Sequence, residues 1–168
     1  MKRMIIGYSG AGKSTLARRL GEHDGVPVLH LDRVQFAPDW VVRSNEEKQE
    51  IVRAFLDENE GWVIDGNYRS MLIERRLQES DQIILLLLNR VSCLRRALRR
   101  ARRFRGQTRP DMADGCIEKF DREFARWILH DGRTRERRDW YRGIADAYSD
   151  KVVILRSQKQ IDRFLQGI

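Results

Sequence analysis

The sequence GYSGAGKS, residues 7–14, matches the phosphate-binding loop pattern G-x-x-x-x-G-K-[ST]. The apolar run 4–6 precedes it and predicts a buried strand, and a helical pattern follows from Lys13 to about Leu20. A loop of this pattern between a strand and a helix is typical of proteins that bind nucleoside triphosphates. The stretch therefore predicts a nucleotide-binding site and the first βα unit of an α/β fold.

The chemistry of the loop assigns roles to its residues. Backbone N–H groups from Gly10 to Ser14 are expected to form a nest for phosphate oxygens, at a helix N-terminus that favours anions. Lys13 is expected to contact the β- and γ-phosphates, and the Ser14 hydroxyl to bind Mg²⁺. Thr15 is a candidate α-phosphate ligand or an ordinary first-turn residue. With ATP and Mg²⁺ as cofactors, the predicted nucleotide-binding residues of the loop are Gly7, Ser9, Gly10, Ala11, Gly12, Lys13, Ser14 and Thr15.

Strands and helices alternate along the rest of the chain. A capping box of Ser44 and Glu47 opens a predicted helix over residues 45–59. Apolar runs predict further strands at residues 26–31, 62–64, 83–88 and 152–155. Two helices have predicted buried faces, made of Ile51, Ala54, Phe55 and Glu58, and of Val91, Leu94, Leu98, Ala101 and Phe104. The alternation predicts one parallel sheet covered by helices on both faces.

Length and composition limit the class of protein. The 168 residues suit a single domain, 1–168, and 41% of them are hydrophobic. No apolar run approaches a membrane span, and the N-terminus lacks the long apolar stretch of a signal peptide. Cys93 and Cys116 show no C-x-x-C or paired-histidine spacing, so neither a disulfide framework nor a zinc site is expected. These features predict a cytoplasmic protein without a membrane partner.

Missing motifs narrow the choice among nucleotide-dependent activities. A GTPase should carry the guanine-recognition motif Asn-Lys-x-Asp, and the sequence has none. A motor-type ATPase needs an acid after a central strand, but the strand at 83–88 ends in Asn89. Asp65, after the strand at 62–64, is the better candidate for holding Mg²⁺ through water. A small kinase fits best, and other nucleotide hydrolases are the weaker alternative.

Basic charge is concentrated in the second half of the chain. Residues 1–88 hold 12 Lys/Arg against 14 Asp/Glu, whereas residues 89–168 hold 21 against 11. Residues 82–110 contain nine arginines and no acid. This block indicates a phosphate-handling lid at about residues 99–115, a polyanion partner or a solvated helix face. In a lid, the predicted phosphate contacts are Arg99, Arg103 and Arg109, with Arg103 in a catalytic role.

Several segments resemble known proteins. The segment DGNYR, residues 65–69, is similar to the Asp-Gly-Phe-Pro-Arg segment of adenylate kinases, although Tyr68 replaces the proline. The stretches GYSGAGKSTLAR, VPVLHLDRVQFAPDW, WVIDGNYR and RPDMADGCIEKFDREFARWI resemble, in the same order, the adenylate-kinase-like DNA topology modulation proteins. This resemblance implies ATP binding and a three-layer fold of nucleoside-monophosphate-kinase type, with a five-stranded parallel sheet in the order 2-3-1-4-5. It does not supply an acceptor.

Candidates for the acceptor side follow from position and resemblance. Asp32 comes after the strand at 26–31, at the edge where open α/β sheets bind ligands and where shikimate-kinase-like enzymes place an acid for the acceptor hydroxyl. Arg69 is expected to bind a phosphate group of the acceptor or to stabilise negative charge on the γ-phosphoryl group. The acceptor-binding segment is predicted at about residues 33–60. The predicted catalytic set is Lys13, Asp32, Asp65, Arg69 and Arg103, with Ser14 and Asp65 at the metal.

Other residues near this edge have open assignments. Phe36 and Trp40 are candidates for lining the acceptor site or for packing an irregular loop. His30, inside a predicted strand, is interpreted as a hydrogen-bonded core residue. Arg156 and Ser157, after the last strand, are placed where related kinases hold the adenine.

Two functional hypotheses follow. The first is an ATP-dependent small-molecule kinase, whose nucleoside- or nucleotide-like acceptor presents a hydroxyl if Asp32 is a base and a phosphate if Arg69 dominates. The second is a nucleic-acid-binding regulator of DNA topology that uses ATP as a switch or not at all, as the basic charge suggests. Against the second, the sequence shows no helix-turn-helix or zinc-finger motif, and aromatic residues are not interleaved with the arginines.

Overall fold

A computed structural model describes the whole chain, residues 1–168. The five strands are β1 (Lys2–Gly7), β2 (Val28–His30), β3 (Trp62–Asp65), β4 (Gln82–Leu86) and β5 (Val152–Leu155). The eight α-helices are α1 (Lys13–Asp24), α2 (Leu31–Gln35), α3 (Asn45–Glu58), α4 (Ile73–Glu79), α5 (Arg90–Arg103), α6 (Arg122–Leu129), α7 (Arg135–Ala147) and α8 (Gln158–Gln166). Two short 3₁₀ turns occupy Pro38–Trp40 and Asp131–Arg133.

The strands form one parallel sheet in the order β2-β3-β1-β4-β5, which confirms the predicted fold and strand order. β1 lies at the centre, where Met4 stands opposite both Ile64 and Ile83. Met4, Ile5 and Ile6 have no exposed area, because helices cover both faces of the sheet. Since the strands run in one direction, their carboxyl ends share an edge, and the loops after β1, β2 and β3 lie side by side there.

The second strand is shorter than predicted. It covers only Val28–His30, and the chain turns at once into α2, whose Leu31 and Val34 are buried. Asp32 therefore lies in the first turn of a short helix instead of closing the strand. It stays at the carboxyl edge of the sheet because α2 begins directly at that edge.

The prediction of the buried face of α3 was wrong, because the buried residues lie one position further along the helix. Ile51 is 38% exposed, whereas Lys48, Val52 and Leu56 are buried. The misleading residue is Lys48, whose stem is buried while its ammonium lies 3.4 Å from the side-chain oxygen of Gln35. Lys48 thus lies on the buried face of α3, although a lysine is expected on the exposed face.

The buried face of α5 also differs from the prediction. Val91 is 54% exposed, and the fully buried positions are Cys93 and Ala97. Small residues face inward here because the helix passes close to the phosphate-binding loop. A Cβ on Gly10 would lie 2.5 Å from the carbonyl oxygen of Cys93, and the φ of Gly10 is 75°, so this approach requires glycine.

The capping box of α3 is confirmed and gives a test of helix stability. The Ser44 hydroxyl accepts from the Glu47 N–H at 3.2 Å, and the Glu47 carboxylate accepts from the Ser44 N–H at 2.8 Å. The substitution Ser44→Ala is expected to lower the free energy of unfolding by about 1 kcal/mol, because it leaves a helix donor unsatisfied. Urea denaturation measures the change, and Ser70→Ala, at a serine whose hydroxyl has no protein partner, is the control. Equal losses in both variants would contradict this assignment.

None of the helices combines the length and the apolar composition needed to cross a lipid bilayer.

Candidate functional site

The loops at the carboxyl edge of the sheet open into one cleft of about 1470 Å³. Pockets for a single small ligand usually measure about 300–1,000 Å³, so this cleft has room for a nucleotide and a second substrate. The structure brings most of the predicted site residues to its wall. Those that line it are Ser9, Gly10, Gly12, Lys13, Ser14, Thr15, Asp32, Asp65, Arg69, Arg99, Arg103 and Arg109.

Gly7 and Ala11 do not line the cleft, but Gly7 shapes the loop from behind. Its N–H donates to Asn67 Oδ1 at 2.9 Å, and Asn67 Nδ2 donates to the Gly7 carbonyl at 2.8 Å. The φ of Gly7 is 145°, and a Cβ there would lie 2.2 Å from the Leu86 carbonyl oxygen, so only glycine fits. Asn67, which the sequence analysis gave no role, thus ties the segment DGNYR to the phosphate-binding loop.

Lys13 supplies a positive charge inside the loop. Its ammonium donates to the carbonyl oxygens of Gly7 and Tyr8 at 3.2 and 3.3 Å. Burial lowers the pKa of Lys13, and the charges of Asp32 and Asp65 offset the lowering only in part. The protonated ammonium therefore gains stability from any further anion brought into the cleft. This is the electrostatic setting that a polyphosphate ligand requires.

Asp65 is buried at the end of β3 with both carboxylate oxygens engaged. The Ser14 hydroxyl donates to Oδ2 at 2.9 Å, and His30 Nδ1 is hydrogen-bonded to Oδ1. Hydroxyl and carboxylate oxygens are the hard ligands that Mg²⁺ prefers, and Mg²⁺ usually keeps several waters. The pair therefore fits a magnesium ion. His30 is a hydrogen-bonded buried residue as interpreted from the sequence, but its partner is the acid of the candidate metal site.

Asp32 and Tyr68 form a second acid site in the cleft. The Tyr68 hydroxyl donates to Asp32 Oδ1 at 2.7 Å. Burial raises the pKa of Tyr68, and the negative charge of Asp32 and this hydrogen bond raise it further, so the phenol remains a donor. The bond fixes the orientation of the carboxylate and leaves its second oxygen without a protein partner. Tyr68, at the position of the adenylate-kinase proline, is a functional candidate that the sequence analysis passed over.

Arg69 stands at the mouth of the cleft. Its guanidinium lies 4.8 Å from the centroid of the Trp140 ring and 3.6 Å from the carboxylate of Glu136. Both partners belong to α7, and the Arg69 side chain is half exposed. An exposed ion pair of this kind contributes little stability. Arg69 can therefore leave Glu136 and bind a ligand with more negative charge at a small cost in free energy.

The predicted lid arginines fall into two groups. Arg99 and Arg103 are exposed, line the cleft and have no acidic partner. Arg109 is buried, with Nη1 2.7 Å from Asp111 and Nε 2.6 Å from Glu118. Its charge is already neutralised, which does not favour the predicted phosphate contact of Arg109. The sequence pattern was misleading because these acids follow the acid-free block and fold back onto it.

Asp111 lies between Arg109 and the first turn of α1. Burial raises the pKa of Asp111, but the charge of Arg109 and the nearby Ser14 hydroxyl together lower it by more, so the pKa lies below its ordinary value. Arg18, one turn after Ser14, is 3.8 Å from the same carboxylate. The segment predicted as the lid therefore contacts the phosphate-binding loop through an ionised acid.

The predicted lid also packs against the predicted acceptor segment. Met112, Ala113 and Cys116 form a small buried cluster with Phe36 and Trp40. Both aromatic residues pack the loop and also line the cleft, and a contact with an acceptor stays a prediction. Asp39 and Trp40 have φ values of 60° and 64°, a strained backbone for non-glycine residues. The two segments thus meet at a constrained contact on the wall of the cleft.

Three further residues differ from what the sequence predicted. Arg96, from α5, donates to the carbonyl oxygen of Ala11 at 2.6 Å and to the side chain of Gln158. It supports the loop from the side predicted to hold the adenine, and nothing in its spacing distinguished it from its neighbours. Arg156 and Ser157 do not line the cleft; instead the Ser157 hydroxyl accepts from the Gln160 N–H at 3.3 Å and caps α8.

Solved structures with the same architecture support the fold. The shikimate kinase from Acinetobacter baumannii, in complex with shikimate, superposes with a TM-score of 0.62 at 16% identity, over 99% of this chain and 89% of that chain. An uncharacterized protein from Eubacterium ventriosum superposes with a TM-score of 0.53 at 16% identity, over 100% and 98% of the two chains. At this identity the likeness shows the fold alone, a phosphate-loop fold with the predicted sheet.

Comparison of the sequence with known proteins and family models identifies a family. The adenylate dimethylallyltransferase of Rhizobium rhizogenes is 32% identical over 99 residues, which are 54% of this chain and 41% of that protein. The aligned part thus covers less than half of that relative's length. A model of the isopentenyl transferase family matches residues 1–103, from the phosphate-binding loop through α5. Because this match covers more than half of the sequence, the chain belongs to the isopentenyl transferase family.

Proposed function

We propose that the protein is an ATP-dependent phosphotransferase that acts on a small molecule with a hydroxyl group. The observation that supports this most is the placement of a phosphate-binding lysine and two acids in one cleft. Lys13 lies within the electrostatic reach of both Asp32 and Asp65, and all three line the same wall. Asp65 accepts a hydrogen bond from Ser14 on the proposed donor side, whereas Asp32 accepts one from Tyr68 on the proposed acceptor side.

On the donor side, the loop would hold the triphosphate of ATP. Backbone N–H groups of residues 10–14 and the Lys13 ammonium bind phosphate oxygens, and Ser14 with Asp65 would hold the metal. When bound, Mg²⁺ neutralises charge on the phosphate oxygens. Arg99 and Arg103 are proposed to approach the phosphates from α5, and Arg96 supports the loop from the same helix.

On the acceptor side, Asp32 would act as the general base. The acceptor hydroxyl oxygen forms a bond to the γ-phosphorus while the bond from phosphorus to the β,γ-bridging oxygen breaks. That electron pair leaves with ADP, and the hydroxyl proton passes to the free oxygen of Asp32. The Tyr68 hydroxyl holds Asp32 in position, and Arg69 is proposed to bind an anionic group of the acceptor. The acceptor segment, about 33–60, and the lid, about 99–115, meet at the cluster of Met112 and Trp40.

An acceptor screen tests the proposal. The protein is incubated with Mg²⁺–ATP and a panel of nucleosides, nucleoside monophosphates and small hydroxylated metabolites, and acceptor-dependent ADP release is followed. Phosphorylated product is then identified by mass spectrometry. ADP release that never exceeds the acceptor-free rate, with any member of the panel, would count against the phosphotransferase proposal.

Family membership favours a second candidate function, transfer of a dimethylallyl group to adenylate. In this case the loop would bind the diphosphate of an allylic diphosphate donor, and the adenylate would displace it. The test is incubation with AMP and dimethylallyl diphosphate, followed by detection of released diphosphate and of prenylated AMP. The relation to DNA topology modulation proteins, and with it binding of DNA, stays a prediction from the sequence.

His30 gives a prediction about the metal site. The substitution His30→Leu is expected to weaken Mg²⁺ binding in the nucleotide complex by about 10- to 100-fold, because Asp65 loses the partner that fixes its orientation. Mg²⁺ titration of a fluorescent ATP analogue bound to the protein measures the effect. The matched control is His23→Leu, since His23 Nδ1 lies 2.8 Å from Asp24 outside the cleft. If both variants keep the wild-type Mg²⁺ dependence, His30 does not position the metal-site acid.

A further inference from the structure

Arg137, in α7, is linked to the phosphate-binding loop through Trp127. Its guanidinium lies 4.5 Å from the centroid of the Trp127 ring, and the Trp127 Nε1–H donates to Ser9 Oγ at 3.1 Å. Arg137, Trp127 and Ser9 all line the cleft. One aromatic ring thus connects the guanidinium to Ser9 of the phosphate-binding loop.

The start of α7 is anchored to the same loop. Arg133, four residues before Arg137, is buried and donates to the carbonyl oxygens of Leu88 and Ile128 at 3.0 and 2.9 Å. Its guanidinium also lies 3.7 Å from the centroid of the Tyr8 ring, and Tyr8 neighbours Ser9 in the loop. These contacts fix the start of α7, and with it the backbone of Arg137, relative to the phosphate-binding loop.

The charge of Arg137 has no acidic partner. Arg100 and Arg109 are paired with Glu118, at 2.7 and 2.6 Å, whereas the Arg137 guanidinium makes no ion pair and no hydrogen bond. A second guanidinium, that of Arg69, lines the same cleft. Two guanidinium groups on the wall of one cleft favour the binding of an anion there, because each can donate charge-assisted hydrogen bonds to it.

We propose that Arg137 is a catalytic residue that contacts the terminal phosphoryl group of the bound triphosphate. The proposal rests on the proposed function and specifies how its donor side works. As the γ-phosphoryl group moves to the acceptor, negative charge spreads over its equatorial oxygens, and the planar guanidinium can donate two hydrogen bonds to them. The family match ends at residue 103, so this assignment comes from α6 and α7, outside the matched region.

Binding of ATP and ADP to Arg137→Ala tests the proposal. The substitution is expected to reduce the preference for ATP over ADP by about 10-fold or more, because one charge-assisted contact to the terminal phosphate is lost. The affinity for ADP should stay within about 2-fold, as no contact to its phosphates is removed. Where an acceptor is known, kcat should fall by about 100-fold with little change in its KM. Arg138→Ala is the control, because Arg138 is exposed and forms no ion pair.

Two further comparisons make the result decisive. Trp127→Phe removes the N–H donor to Ser9 but keeps a ring under Arg137, so it should show a smaller loss of ATP preference than Arg137→Ala. An unchanged ATP-to-ADP affinity ratio in Arg137→Ala, with an unchanged unfolding midpoint, would overturn the proposal. Because the ratio needs no acceptor, a failed acceptor screen with a reduced ratio rejects the phosphotransferase function and keeps the phosphate contact.

Discussion

Replacing Lys13 with alanine is expected to lower phosphoryl transfer by about 1000-fold while the fold is retained. The ammonium is the cation enclosed by the loop itself, and burial lowers its pKa more than the charges of Asp32 and Asp65 raise it. When negative charge develops between the β- and γ-phosphates, this ammonium would stabilise it from within the loop. The structure should tolerate the change, because Lys13 bonds only to the carbonyl oxygens of Gly7 and Tyr8.

Turnover and nucleotide affinity of the Lys13→Ala variant are measured together with its unfolding midpoint. Lys159→Ala, at an exposed lysine in the first turn of α8, controls for the loss of one positive charge. Wild-type turnover in a folded Lys13→Ala protein would be incompatible with a phosphate role for this loop. The same variant tests the dimethylallyl candidate, since a diphosphate leaving group would depend on the same ammonium.

The donor side was largely predictable from the sequence, for a local reason. Gly7, Lys13 and Ser14 lie in one loop, and the motif fixes their spacing along a strand, a turn and a helix. Asp65 was also predictable, because a residue that ends a strand of a parallel sheet must lie at its carboxyl edge. The continuous apolar strands likewise predicted the single sheet.

What the sequence did not reveal depends on contacts between distant segments. Asn67 and Gly7 are 60 positions apart, and His30 and Asp65 are 35 apart, so spacing alone gives no sign of either pair. Arg109 was assigned to phosphate because charge was counted along the chain, whereas its acids approach it through folding of residues 109–118. Three arginines of the block, Arg96, Arg100 and Arg109, make internal contacts of this kind, which leaves fewer for a polyanion partner.

Arg137 is a residue that could not be selected from the sequence. It lies in a helix with many exposed arginines, and only the contacts of Trp127 with Ser9 and of Arg133 with Tyr8 distinguish it. Nothing in the sequence indicates that Trp127 of α6 contacts the phosphate-binding loop. Such partners are set by the packing of α6 and α7 on the sheet.

Replacing Asp32 with asparagine is expected to lower phosphoryl transfer to a hydroxyl acceptor by about 1000-fold, with ATP affinity nearly unchanged. An amide keeps the size of the carboxylate and can still accept the hydrogen bond of Tyr68, which is 2.7 Å long in the wild type. It cannot accept the proton of the acceptor. Asp150→Asn, at an exposed aspartate without contacts, is the control.

The comparison of Asp32→Asn with Arg69→Ala then identifies the chemistry of the acceptor. If the acceptor reacts through a hydroxyl, loss of the base lowers kcat, whereas loss of Arg69 raises the KM of an anionic acceptor by about 10-fold. If the acceptor reacts through a phosphate, which is already ionised near neutral pH, no base is needed and Asp32→Asn should keep most of its kcat. A full kcat in Asp32→Asn together with a low kcat in Arg69→Ala would therefore contradict the role of Asp32 as a base. It would instead indicate that Arg69 holds the reacting phosphate of the acceptor.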